Sequence, residues 1–155
     1  MDRVVDLGDV CDLAPVRAAL AEAFRQSRDR IDAVAYMERH ELLDAVERVG
    51  RALDHHLAEA VAAARVETID QAALFAEAYG AVGLDLPPDV LDHVRAAQVM
   101  AWRRAVPRPG AGEGLARAPG TRLVLRVPPA AAGAEEPLLE HLGLEGAFDR
   151  VVAGS

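Results

Sequence analysis

A chain of 155 residues with 17 basic and 25 acidic side chains carries a formal charge of −8, which repels a phosphate backbone unless the cations cluster. They do not: arginines stand beside acids, as between Arg25 and Arg30, so nucleic acid is excluded as an expected partner. With 52% hydrophobic but only 4% aromatic residues, the core has to be built from Leu, Val and Ala, a composition that favours helix. No apolar run approaches the ~20 residues of a membrane span. No charged-then-apolar leader opens the chain, and the single cysteine, Cys11, has no internal disulfide partner, so the expected compartment is the cytoplasm.

Val4 and Val5, followed by Asp6-Leu7-Gly8-Asp9-Val10, predict a strand running into a tight turn. Pro15 suits a first helical turn with Asp12 as its cap, and Val16, Leu20 and Phe24 fall on one face; this helix is expected to end near Ser27. From Ile31 to Val61 the positions Leu42, Val46, Val49, Leu53, Leu57 and Val61 step by three or four, the spacing of one helix face. Gly50, which costs roughly 1 kcal/mol against Ala in a helix, predicts a kink or boundary there. Thr68-Ile69-Asp70-Gln71 has the form of a capping box and predicts a helix from Ile69. Gly80, Gly83 and Pro87-Pro88 end that helix and open another, with Val90, Leu91, Val94 and Met100 on its apolar face. Together these helices are expected to form an antiparallel bundle.

Composition changes after Trp102, which is expected to pack rather than to stack on a ligand. Pro107, Pro109, Gly110, Gly112 and Gly114 predict a loop, and Pro119-Gly120 a turn into a short strand, Leu123-Val124-Leu125. A helix from Glu135 to Leu142, stopped by Gly143, and a strand over 148–152 complete a strand-helix-strand unit compatible with a parallel sheet.

Taken in order, these pieces resemble the haloacid dehalogenase-like hydrolase superfamily, in its phosphatase-like branch with a helical cap after the first strand. Val4-Val5-Asp6-Leu7-Gly8-Asp9-Val10 resembles the first motif, in which a strand delivers a nucleophilic aspartate to a turn. Leu138-Leu139-Glu140-His141-Leu142-Gly143-Leu144, then Phe148-Asp149-Arg150-Val151-Val152, resembles the helix and third strand of the core. The resemblance implies an α/β, mostly helical fold in which a cap bundle is inserted into a small, incomplete parallel, Rossmann-like sheet. Residues 1–13 would form the first core strand and turn, 14–104 the cap and 105–155 the remaining core.

The same resemblance implies a site and shows where it is defective. Asp6 takes the nucleophile position, since a carboxylate at a strand end can form a covalent intermediate, and it is the residue that would touch magnesium if magnesium binds. The second aspartate of the motif is replaced by Gly8, a change that some relatives share, so no general acid comes from there. Where a Ser or Thr should bind the substrate anion stand Arg126-Val127-Pro128-Pro129, leaving Arg126 as the candidate substrate-binding residue. The sequence stops at Ser155, before the lysine and the acidic pair of the later motifs.

The expected function is therefore a haloacid dehalogenase-like protein, catalytically impaired or inactive as this chain alone. Its alternatives are a non-catalytic interaction module and a phosphohydrolase completed by a partner subunit. No resident cofactor is expected, magnesium being the ion an active form would use. An unpaired edge on the first strand would invite another chain, so a homo-oligomer or a protein partner is expected. Apart from the resemblance, Asp6 and Asp9 also read as ordinary turn chemistry and Cys11 as a buried apolar residue. His55 and His56 point about 100° apart on a helix and, with His40, match no metal-ligand spacing. Neither of the standard glycine-rich nucleotide motifs is present.

Overall fold

The computed structural model describes residues 1–112, 115 and 120–154. Strand β1 (Asp2–Asp6) leads into the one-turn helix α1 (Leu7–Val10) and the short strand β2 (Cys11–Asp12). The chain then leaves through α2 (Ala14–Glu38), α3 (Leu43–Ala62), α4 (Gln71–Gly80) and α5 (Pro88–Ala101). It returns by a 3-10 turn at Trp102–Arg104 to β3 (Val106–Pro107), which pairs antiparallel with β2 and closes the base of the helical excursion. Strand β4 (Arg122–Val127), helix α6 (Glu135–Leu142) and strand β5 (Arg150–Ala153) follow. The main sheet has the order β1-β4-β5 with both pairings parallel. The protein is thus a mostly helical α/β structure with a small parallel sheet and a separate two-stranded ribbon. Gly114 and Pro119, assigned above to a loop and a turn, lie outside the described residues.

Several element boundaries differ from the sequence reading, each for a local reason. Helix α2 does not stop near Ser27: Ser27 is itself buried, and Ile31 and Ala35 extend the stripe of Val16, Leu20 and Phe24. Burial of that stripe outweighs the weak helix propensity of the intervening polar residues. The break expected near Ile31 falls instead at the 3-10 turn His40–Leu42. Thr68 does not cap the next helix; its hydroxyl donates to the Arg65 carbonyl at 2.7 Å. Asp70 is the cap, accepting from the Ala73 amide at 3.3 Å, which moves the start to Gln71. Val61 and Met100, expected on apolar faces, are 47% and 54% exposed.

Gly50 neither kinks nor ends its helix, for α3 continues through it. A Cβ at this position would collide with the guanidinium of Arg28. Arg28 is largely buried between α2 and α3, its Nη1 lying 3.6 Å from Asp32 and 3.5 Å from Asp54. The glycine is there to seat a cation, and its helix-propensity cost is the cost of that seat.

One hydrophobic cluster runs from the helices into the sheet, taking in Phe24, Leu57 and Phe75 together with Leu123, Leu125 and Leu138. Phe24 and Phe75 meet edge to face at 4.8 Å between centroids. Gln71, buried, donates its side-chain amide to the Leu20 carbonyl at 2.8 Å, and its backbone amide to Gln98 Oε1 at 3.0 Å, tying α4 to α2 and α5. The helices are fastened to the sheet by Trp102, whose Nε1 donates to the Ala130 carbonyl at 2.9 Å. Trp102 packs, as expected, with 1% of its surface exposed.

Gly50→Ala should lower stability by roughly 1–3 kcal/mol in urea denaturation, because the methyl group evicts Arg28 from a packed interface. A gain of about 1 kcal/mol, as helix propensity alone dictates, would contradict this account of the glycine.

Candidate functional site

The parallel pairing of β1 and β4 sets Asp6 directly opposite Arg126. Both stand at the carboxyl ends of their strands, the place where open α/β sheets hold ligands. The guanidinium clasps the carboxylate bidentately: Arg126 Nε donates to Asp6 Oδ1 at 2.6 Å and Nη2 to Oδ2 at 3.0 Å. The stem of Arg126 passes close to Gly154, just after β5, where any Cβ would collide with it. The hydrogen bonds from Arg126, together with its charge, hold the Asp6 carboxyl below its ordinary range, against a smaller opposing effect of burial. In return, Asp6 raises the pKa of Arg126. Both side chains are about half exposed.

A cleft of about 150 Å³ opens here, bounded on the core side by Asp6, Gly8, Arg126 and Pro128, and on the helical side by Leu13, Glu67 and Thr68. Glu67 is buried, and both its oxygens accept from Arg17, at 2.8 Å from Nε and 2.8 Å from Nη2. The cleft therefore lies between two closed carboxylate–guanidinium pairs. Sequence reasoning missed the second, because Arg17 and Glu67 are 50 residues apart and neither stands in a pattern that would single it out. Gly8 is not required by the backbone: a Cβ there would meet only Leu13 Cδ1, at 3.7 Å, an ordinary contact.

Arg126, assigned above to a substrate anion, is instead the counter-ion of Asp6 in this structure. The pair has a counterpart four residues earlier on both strands, where Asp2 lies opposite Arg122 with 3.2 Å between Oδ1 and Nε. Asp6–Arg126 thus also serves as a cross-strand charge pair that fixes register. Asp9 accepts from the Asp6 amide at 3.3 Å, closing the turn. Cys11 is fully buried, with Sγ 3.4 Å from the Leu7 carbonyl, and burial pushes its thiol up to about 11. His55 faces Glu59 at 3.1 Å, and His40 lies against the Tyr36 ring at 5.5 Å. Among the described residues no group of three or more His, Cys, Asp or Glu side chains is arranged to hold a metal ion. Nor, among them, is any helix long and apolar enough to cross a membrane.

No family model, curated protein or solved structure matches this chain.

Two measurements test this geometry. Asp6 has a depressed folded pKa, so its contribution to stability is present above the unfolded value near ~3.9 and is lost as pH falls through the folded one. Thermal melts should show the wild type above Asp6→Asn at neutral pH, with the difference disappearing in strong acid and shrinking in high salt; a difference that persists at low pH would contradict the pairing. Cys11 should react with a soluble disulfide reagent at pH 8 orders of magnitude more slowly in the native protein than in denaturant, since the thiolate is the nucleophile. Comparable rates would mean that the thiol is accessible.

Proposed function

We propose that this chain is a haloacid dehalogenase-like protein that is catalytically impaired or inactive on its own. What supports the kinship is the order of parts: an aspartate at the carboxyl end of a first parallel strand, a tight turn, a helical excursion, and a second strand, helix and third strand beside the first. What supports the impairment is one observation, the bidentate clasp of Arg126 on both oxygens of Asp6. A carboxylate whose charge is neutralised and each of whose oxygens already accepts a charged hydrogen bond is a weaker nucleophile and a weaker ligand for a hard cation. An arginine cannot release it by losing a proton. If magnesium binds, Asp6 is the residue that would touch it, and the ion would have to compete with Arg126.

A non-catalytic interaction module is the second reading, favoured by the sheet face around Val4, which is 54% exposed on the strand that precedes the helices. The deciding experiment is hydrolysis of a panel of phosphomonoesters with magnesium by the wild type, Asp6→Asn and Arg126→Ala. The wild type is expected to show no turnover that depends on Asp6. Wild-type turnover abolished in Asp6→Asn would overturn the reading of an inactive chain and establish Asp6 as the nucleophile. Turnover gained only in Arg126→Ala would support it and identify the clasp as the block.

A further inference from the structure

Two helices line one seam of the molecule with small side chains. On α2, Pro15, Ala18, Ala19 and Ala23 recur at the three- and four-residue spacing of a single face, beside the stripe of Val16, Leu20 and Phe24 that fills the core. Ala97 and Ala101 of α5 stand opposite, and an open groove of about 940 Å³ runs between the two helices. Met100, expected on the apolar face of α5, lines this groove instead and is 54% exposed. From Pro15 to Gln26 the α2 wall spans roughly 16 Å at ~1.5 Å per residue, or about three helical turns. The two ends of the groove differ in charge. Pairing of β2 with β3 joins Asp12 to Val106, so α2 begins beside the Trp102–Arg104 turn, and the exposed Arg103 and Arg104 flank the groove at that end. Neither guanidinium has a hydrogen bond or ion pair among the described residues. Glu22, the acid of the groove, already has partners: Gln26 Nε2 donates to its Oε1 at 3.2 Å, and Arg25 Nη1 lies 3.8 Å from Oε2. The charge left without a partner is therefore positive, in a chain whose formal charge is −8.

We propose that this groove docks a helix of another protein, one that is acidic at one end and carries large apolar side chains along one face. Both walls repeat at helical spacing, so a third helix interdigitates with them through anchors three and four residues apart. Because the walls are mostly alanine, the volume that fills the groove has to come from the partner's own large side chains. Met100 adds an adaptable apolar contact on the α5 side. The acidic end meets Arg103 and Arg104 in charge-assisted hydrogen bonds, which fixes the direction in which the helix lies. A second copy of the chain is a poorer occupant, since its helices bury their large apolar residues, among them Phe24, Leu57 and Phe75. The inference rests on the reading of the chain as an interaction module and names the kind of partner that module takes.

Fluorescence anisotropy of the full chain with a defined probe tests this. The probe is a labelled, end-capped peptide helix of about four turns, with leucines at alternating three- and four-residue spacing and two glutamates at one end. One control carries lysines in place of the glutamates, and another has the leucines moved off the helical spacing. The acidic probe should bind in the micromolar range, about tenfold or more tighter than either control. The double variant Arg103→Glu, Arg104→Glu should reverse the preference between the acidic and basic peptides. Ala18→Trp fills the groove from an exposed position; it should weaken the acidic probe about tenfold or more and leave the far-ultraviolet spectrum unchanged. Absence of binding, equal binding of the acidic and basic peptides, or binding indifferent to both variants would overturn the inference. Sedimentation showing a dimer that the same variants dissolve would assign the groove to a second copy and overturn it as well. The phosphomonoester assay is a separate readout: turnover dependent on Asp6 would overturn the reading of an inactive chain and leave the peptide result standing.

Discussion

The constraint on which this molecule depends is the parallel pairing of two strands 120 residues apart. β1 and β4 adjoin in the sheet, yet nearly all of the helical mass lies between them in the chain. Closing so long a loop costs entropy that grows only slowly with its length, so the excursion can be large provided that it begins and ends at one place. The β2–β3 ribbon supplies that place, joining Cys11 to Pro107 and Asp12 to Val106. Trp102, bonded to Ala130, seats the returning chain on the sheet. Register is then set by charge: the acids at the first and last positions of β1, Asp2 and Asp6, meet arginines at the matching positions of β4.

That electrostatic device has a chemical consequence. Asp6, at the carboxyl end of β1, is also one half of a register pair, and the geometry that makes the pairing good ties both its oxygens to a guanidinium. The neighbouring cleft wall repeats the theme, with Glu67 held by Arg17 through both oxygens. Gly8, by contrast, is imposed neither by crowding nor by a left-handed backbone, so a larger side chain would fit at that position.

Much of the architecture was legible in the sequence. α6 begins and ends where Glu135 and Gly143 predicted, the glycine adopting a left-handed φ of 70°. The buried states of Cys11 and Trp102 follow from residue type. What could not be read were features that depend on long-range neighbours. Gly50 looked like a helix breaker because its reason, Arg28, comes from another helix. Ser27 looked like a terminus because its burial is decided by packing. At the site, Asp6 and Arg126 were each identified singly, but that they hold each other follows only from the strand register, and Glu67 enters only through the fold.

The most direct test of this account is a titration of the Asp6 side-chain carboxyl carbon by NMR, in the wild type and in Arg126→Gln. The account predicts a wild-type midpoint below that of an ordinary aspartate, near ~3.9, with a return toward that value once the guanidinium is gone. An ordinary midpoint in the wild type, unmoved by the substitution, would mean that the carboxylate is free in solution, and the argument that Arg126 disables it would fail.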